Sequence, residues 1–175
     1  IEQCFKNTSE IADKIECFDI TNKVYDCPTF GDKDESFKKL RDMTYSGLNN
    51  KFTQDFLNSH PEYIQRIEYE LDVVKKVNFV DYFLLLEDLY NFTSRNNIYM
   101  GIGRGSAGGS LILYCLNVIS VNPMQYNLLF ERFINVDRVS MCDVDCDCND
   151  KDRPKVIEYL KKRYGEEHVC NICTY

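Results

Sequence analysis

An α+β fold, a sheet with flanking helices, is what this sequence predicts, and three observations lead to it. Apolar residues recur at helical spacing through much of the first half of the chain. A short apolar stretch, Ile98-Tyr99-Met100, runs straight into a glycine-rich loop and then another apolar helix. Residues 142–148 alternate strictly between polar and apolar, which is the period of a strand.

In chain order, residues 7–15 read as a short helix opened by Asn7, Thr8 or Ser9, and residues 25–31 as an extended connector interrupted by Pro28. Between 36 and 48, Phe37, Leu40, Met43 and Leu48 repeat at helical spacing, and Gly47 stands where such a helix would stop. Ser59 with Glu62 predicts a capping box, Pro61 suits a first turn, and Ile64, Ile67, Leu71 and Val74 form one stripe. Asp81 is placed to cap a further helix carrying Phe83, Leu84, Leu85, Leu89 and Phe92. Asn122-Pro123 predicts another, through Tyr126, Leu129, Phe130 and Phe133. Asp152 opens a last helix with Val156, Ile157, Leu160 and Tyr164 inside and Gly165 just beyond its end. Lys155, Lys161, Lys162 and Arg163 make its other face basic, as a solvated face would be. Residues 169–174 read as a second strand.

The composition is that of an ordinary globular protein. The 175 residues are 44% hydrophobic and 28% charged, with only 8 Gly and 4 Pro, which excludes disorder as the main state. The most apolar stretch, from Val80 to Leu89, is broken by Asp81, Glu87 and Asp88, so no membrane span is expected, and the start is not signal-like. Nine cysteines are an odd number scattered through apolar patterns, which fits a reducing, cytoplasmic setting better than a disulfide framework. With 21 Lys+Arg against 28 Asp+Glu, the net charge of −7 argues against a free-standing nucleic-acid clamp but is compatible with a metal-dependent site. The chain opens at Ile1 and stops at Tyr175 inside an apolar segment, so a piece of a longer protein is expected.

The chemistry begins with the loop Gly101-Ile102-Gly103-Arg104-Gly105-Ser106-Ala107-Gly108-Gly109-Ser110. Strand, glycine loop and helix make a phosphate-binding layout. Glycines let backbone N–H groups approach an anion, the following helix offers its unpaired amides, and Arg104 and Ser106 add a guanidinium and a hydroxyl. No Lys follows as in a Walker loop, and no second β unit follows as in a dinucleotide fold. A tight turn packing a helix on a strand is the simpler alternative.

The second feature is residues 138–148, from Arg138 through Ser140, Met141 and Cys142 to Cys148. One face of the alternation carries Asp143, Asp145 and Asp147; the other carries Cys142, Val144, Cys146 and Cys148, with cysteine acting as a small hydrophobe. Carboxylates stacked on one side of a strand repel each other unless a cation neutralises them, and hard oxygen ligands favour Mg2+ or Mn2+ over zinc. A solvated acidic edge strand is the alternative. Structural zinc would draw on Cys142, Cys146, Cys148, His168, Cys170 and Cys173, but only Cys170-x-x-Cys173 has a usual ligand spacing.

Taken together, the loop and the acids match a nucleotidyltransferase palm, in which the loop holds a triphosphate and the carboxylates hold two metals. Residues 98–147, with the segments GRGS, LLFERF and SM-x-D-x-D-x-D, resemble the palm of the bacterial replicative DNA polymerases of family C, the DNA polymerase III alpha subunits. Residues 66–71 with 79–84 are similar to the helix pair ahead of the family's glycine loop. Residues 156–175 resemble the stretch after its aspartates, and residues 7–12 resemble the last helix of its N-terminal PHP domain.

The resemblance implies a nucleotidyltransferase palm of the polymerase beta-like kind, here an α+β fold with an incomplete sheet and flanking helices, and a DNA-directed DNA polymerase. Asp143 and Asp145 would be the catalytic, metal-binding pair, with two Mg2+ ions that Mn2+ can replace. Arg104, Gly105 and Ser106 would contact the phosphates of the incoming nucleotide, Arg132 would be a further candidate beside them, and Asp147 would play a supporting electrostatic role. The family usually has Pro where Ile102, Val136 and Cys142 stand here, and Phe where Cys148 stands. The implied organisation is 1–30 for the end of the PHP domain and a connector, 31–97 for a helical part, and 98–175 for an incomplete catalytic core. A third carboxylate, the thumb and the fingers would lie outside this chain, leaving these residues inactive alone. Implied partners are primer-template DNA, deoxynucleoside triphosphates, the remaining polymerase domains and a sliding clamp. The alternatives are a zinc-stabilised interaction module, a catalytically dead relic, and a smaller nucleotidyltransferase acting on another acceptor.

Overall fold

The computed structural model describes residues 2–15, 27–136 and 142–172. Seven α-helices carry the architecture of these residues: α1 (Glu2–Asp13), α2 (Lys33–Lys51), α3 (Gln54–Ser59), α4 (Pro61–Lys76), α5 (Val80–Arg95), α6 (Leu111–Cys115) and α7 (Arg153–Tyr164). Short 3-10 turns lie at Gly105–Gly109, Phe130–Arg132 and Glu166–His168.

The expected α+β palm with its incomplete sheet is not what forms. The described residues are almost entirely helical, and their only β pairing is an isolated antiparallel bridge between Met100 and Cys148. The reason lies in what happens around that bridge. A sheet needs successive paired residues, yet the Ile98 N–H is spent on the Thr93 carbonyl at the end of α5, and the Ile102 carbonyl accepts from Ser120 instead. The backbone then turns at Gly103, with φ of +90°. Residues 169–172 are neither helix nor strand, and the rest of the predicted second strand lies outside the described residues, as do Tyr25 and Asp26 of the predicted connector, whose residues 27–31 are neither helix nor strand.

The helices depend on the stripes read from the sequence. Ile67, Leu71 and Val74 of α4 are buried, with Leu40 and Leu48 of α2, Phe83 and Leu84 of α5, and Leu111, Ile112 and Leu113 of α6. α2 packs on α5 and α6, and α4 packs on α3 and α6. Asp88 of α5 accepts hydrogen bonds from the Tyr159 and Tyr164 hydroxyls, each at 2.7 Å, and Phe92 stacks on Tyr159, which fixes α7 against α5. By contrast, α1 buries none of its side chains.

The ends of the helices differ from expectation in instructive ways. Gly47 lies within α2 and does not end it; a Cβ there would fall 2.1 Å from the Cys115 carbonyl oxygen, so glycine permits the close approach of α6. The Ser59–Glu62 capping box does not form, because the Ser59 hydroxyl bonds back to Asp55 within α3 and His60 precedes α4. Asp81 accepts from the Phe30 N–H and does not cap α5. Three helices end on asparagine in the left-handed region, Asn78, Asn97 and Asn117, with φ of 60°, 53° and 60°. In each, the next residue's N–H reaches back over the final turn, as in Phe79 to Val74, Ile98 to Thr93 and Val118 to Leu113. The helix expected after Asn122-Pro123 is replaced by turns: Asn122 accepts from the Met124 N–H, and Tyr126 and Leu129 stay exposed while Phe130 and Phe133 are buried. Only α7 runs from Asp152 to Gly165 as expected, although the Asp152 side chain pairs with Lys155 and caps nothing.

Two outcomes are expected. Gly47→Ala should cost about 1–3 kcal/mol through overpacking, read as a lower urea midpoint at unchanged slope; an unchanged midpoint would refute the close approach of α2 and α6. Burial pushes the Cys115 and Cys142 thiols up to about 12. Alkylation at pH 8 followed by mass spectrometry should therefore spare both until denaturant is added, while exposed Cys4 and Cys170 react.

Candidate functional site

The glycine loop is positioned from below by a carboxylate that sequence reasoning missed. Glu70 of α4 is completely buried and accepts four hydrogen bonds: from Arg66 Nε at 2.7 Å, Ser110 Oγ at 2.9 Å, Leu111 N at 2.9 Å and Ile112 N at 3.1 Å. Burial raises its pKa above the ordinary carboxylate value, against the pull of the two amides and Arg66. Every contact is a donor, so the ionised form is the one this geometry holds. Arg66 extends the grip, since its Nη2 donates to the carbonyls of Gly109 at 2.8 Å and Leu128 at 3.0 Å. One guanidinium therefore joins the end of the loop to the segment leading into Arg132. The amides that open α6 face Glu70, so the helix end expected to bind phosphate is already neutralised from within.

The loop meets the acidic segment on an exposed face. The Gly101 N–H donates to the Asp147 carbonyl at 2.8 Å, and a Cβ on Gly101 would come within 3.1 Å of the Asp147 Cβ. From the loop, Arg104 reaches back across this junction. Its Nε lies 2.9 Å from Asp147 Oδ2 and its Nη1 lies 3.3 Å from Asp145 Oδ2. Gly105 has φ of +68°, and the space where its side chain would be opens toward Asp145 Oδ2. Ser106 is exposed on the same 3-10 turn. Arg132 is exposed on the turn Phe130–Arg132, which packs against Gly105–Gly109.

The two-faced reading of residues 142–148 holds although the strand does not. Asp143, Asp145 and Asp147 are exposed, while Cys142 is buried and Val144, Cys146 and Cys148 are half-buried against the core. Two tyrosines of α5 support that inner face, Tyr82 through a hydrogen bond with the Val144 backbone and Tyr90 through one with the Cys146 thiol. Burial first, and nearby thiols and carboxylates after it, raise both phenols well above their usual value, so they remain protonated hydrogen-bonding groups. The first part of the motif, Arg138, Ser140 and Met141, lies outside the described residues. An open cleft of about 780 Å³ lies on the inner side, lined by Leu89, Cys146, Asp147, Cys148, Val156 and Leu160 among others; neither Asp143 nor Asp145 lines it.

The donor set suits a hard divalent ion better than zinc. Among the described residues, no three His, Cys, Asp or Glu side chains gather closely enough to hold a metal ion. Structural zinc takes four protein ligands, whereas Mg2+ commonly takes one or two carboxylates and completes its shell with water and phosphate. Asp143 and Asp145 would supply that smaller number. A cation already sits on the same face in the form of the Arg104 guanidinium. The zinc spacing Cys170-x-x-Cys173 is only half described, since Cys173 lies outside the described residues.

Comparisons with known proteins agree with one another. The chain matches the family model described as the bacterial DNA polymerase III alpha NTPase domain over residues 38–175. It is 40% identical over 180 residues to DNA polymerase III subunit alpha of Aquifex aeolicus, a match covering 99% of this chain and 15% of that protein. The same subunit of Ureaplasma parvum is 45% identical over 136 residues, covering 78% of this chain and 14% of the relative. That of Bacillus subtilis is 43% identical over 136 residues, covering 78% and 12%. The first of these matches thus takes in nearly the whole of this chain but only 15% of its relative's length.

Removing the buried carboxylate should be the most damaging single change near the site. Glu70→Ala is expected to lower stability by about 3–5 kcal/mol, because it leaves the half-buried Arg66 without its charge partner and the donors of Ser110, Leu111 and Ile112 without their acceptor. Chemical denaturation measures this, and a loss under ~1 kcal/mol, the scale of an exposed pair, would show that the pair does not hold the loop.

Proposed function

Since this chain belongs to the bacterial DNA polymerase III alpha family, we propose that it supplies part of the active site of a DNA-directed DNA polymerase, which transfers deoxynucleotides to a primer 3′-hydroxyl on a template. The observation that carries this reading is the junction of Arg104 with Asp145 and Asp147. It brings the glycine loop and two carboxylates to one exposed face.

In this proposal Asp143 and Asp145 hold the divalent cations, two Mg2+ ions for which Mn2+ can substitute. When bound, such ions activate the attacking hydroxyl and stabilise the leaving pyrophosphate. Arg104 donates to the triphosphate, with the backbone of Gly105 and the hydroxyl of Ser106 beside it, and Arg132 adds a second cation from the neighbouring turn. Arg66 and Glu70 hold the two turns in mutual register, so that these groups meet the nucleotide without reorganising. Residues 1–30 would belong to the end of a preceding domain and a connector, and residues 31–97 to a helical support. Primer-template DNA, the remaining polymerase domains and a sliding clamp are the partners that follow, in the cytoplasm. No described helix is long and apolar enough to cross a membrane. The rival zinc module has little to stand on, for want of a gathered ligand set among the described residues, and a dead relic is disfavoured by the intact Asp143 and Asp145.

The test is primer extension with Mg2+ by a full-length polymerase carrying this segment, comparing wild type with Asp145→Asn at matched circular dichroism. Extension should fall by about three orders of magnitude or more on loss of a metal-binding carboxylate. Extension that survives the substitution would place the chemistry elsewhere.

A further inference from the structure

The acidic face carries three carboxylates, and the proposed function uses two. We infer that Asp147 is a positioning residue for Arg104 and not a third metal ligand: it grips the guanidinium by Nε and so keeps the Nη groups on the nucleotide side. The inference rests on the reading of Asp143 and Asp145 as the metal pair.

Spacing gives the first argument. Extended chain rises about 3.3 Å per residue, so carboxylates at i and i+4 stand ~13 Å apart along it, whereas paired catalytic metals lie about 3.5–4 Å apart. Asp143 and Asp147 therefore cannot serve one pair of ions. The choice between the remaining neighbours follows from what Asp147 already does. Its carbonyl accepts from Gly101 at 2.8 Å, its Cβ lies against Gly101, and its Oδ2 takes Arg104 Nε at 2.9 Å. Backbone and side chain of this one residue are thus both committed to the loop.

The geometry of the guanidinium gives the second argument. Nε points along one edge of the planar fork, and Nη1 on another edge makes the longer, 3.3 Å contact with Asp145. The side chains of Arg104, Asp145 and Asp147 are 60%, 50% and 57% exposed, so these contacts exchange readily with ligands. A cation arriving on Asp145 displaces Nη1 but leaves Nε on Asp147. The freed Nη groups then face an anion. Without ligands, Arg104 is the counter-ion of the acidic face; with them, Asp147 keeps it from swinging into solvent.

The experiment uses a full-length polymerase carrying this segment and its variants, with near-UV circular dichroism to match folding. Free Mn2+ is titrated by electron paramagnetic resonance, and Mg2+-dATP affinity is measured by calorimetry. Asp145→Asn should weaken Mn2+ binding about tenfold or more, while Asp147→Asn changes it less than about threefold. Asp147→Asn and Arg104→Gln should each weaken dATP binding by about fivefold to tenfold, and the double variant should be no weaker than Arg104→Gln alone. Asp147→Glu, which keeps the charge, should recover part of the dATP affinity. Loss of Mn2+ binding in Asp147→Asn equal to that in Asp145→Asn would make Asp147 a ligand and overturn the inference, and so would two losses of dATP affinity that multiply. If Asp145→Asn binds Mn2+ as wild type does, the metal-site reading itself falls, and the inference with it.

Discussion

The buried carboxylate of Glu70 is the constraint on which the rest of the structure depends. A charge taken out of water is costly unless every lone pair finds a donor, and Glu70 finds donors on α4, on the glycine loop's last residue and on the first two residues of α6. Each of those groups must be in place for the charge to be tolerated. The loop, α6 and the Leu128 segment are therefore held to α4 by electrostatic necessity as well as by apolar packing. The same contacts consume the positive end of α6, so the anion binding proposed for this face falls to Arg104, Ser106 and the loop backbone.

Much of the helical core was legible because it is periodic. The α4 stripe and the full span of α7 follow from apolar spacing and from residues at the helix ends. Glu70 could not be found the same way, because Arg66 and Glu70 stand four apart, as a solvent-exposed ion pair on a surface helix would. What buries them is the loop forty residues later, which no local pattern reports. Gly47 was misread for a related reason: glycine after an apolar run signals a helix stop, but here it answers to α6, a contact distant in sequence. The asparagine stops at 78, 97 and 117 carry a readable signal, since asparagine tolerates the left-handed region.

The acidic segment separates two things that alternation alone confuses. Period-two patterning reports which side of an extended chain is buried, and the exposed aspartates and packed cysteines bear that out. It does not report whether a neighbour exists to pair with. Pairing is non-local, and near Met100 the available backbone groups are claimed by the end of α5 and by Ser120. The facing of these residues could therefore be read correctly on the wrong scaffold: which side is buried was local information, and the sheet was not.

Two ion-pair systems on this chain differ in kind, and the difference suits the proposed chemistry. Glu70 is locked by burial and Arg66 by its contacts to Glu70, Gly109 and Leu128, so that losing Arg66 strands the Glu70 charge in the interior. Arg104 with Asp145 and Asp147 lies in water, where ion pairs stabilise little and exchange quickly. A site that must admit both an anionic substrate and a divalent cation needs charges that can change partners, because preformed pairs sealed from solvent would resist both. It also needs a frame that stays still while they do. Here the mobile pair sits on the outer surface of a loop whose base, at Ser110, is fixed by the immobile one.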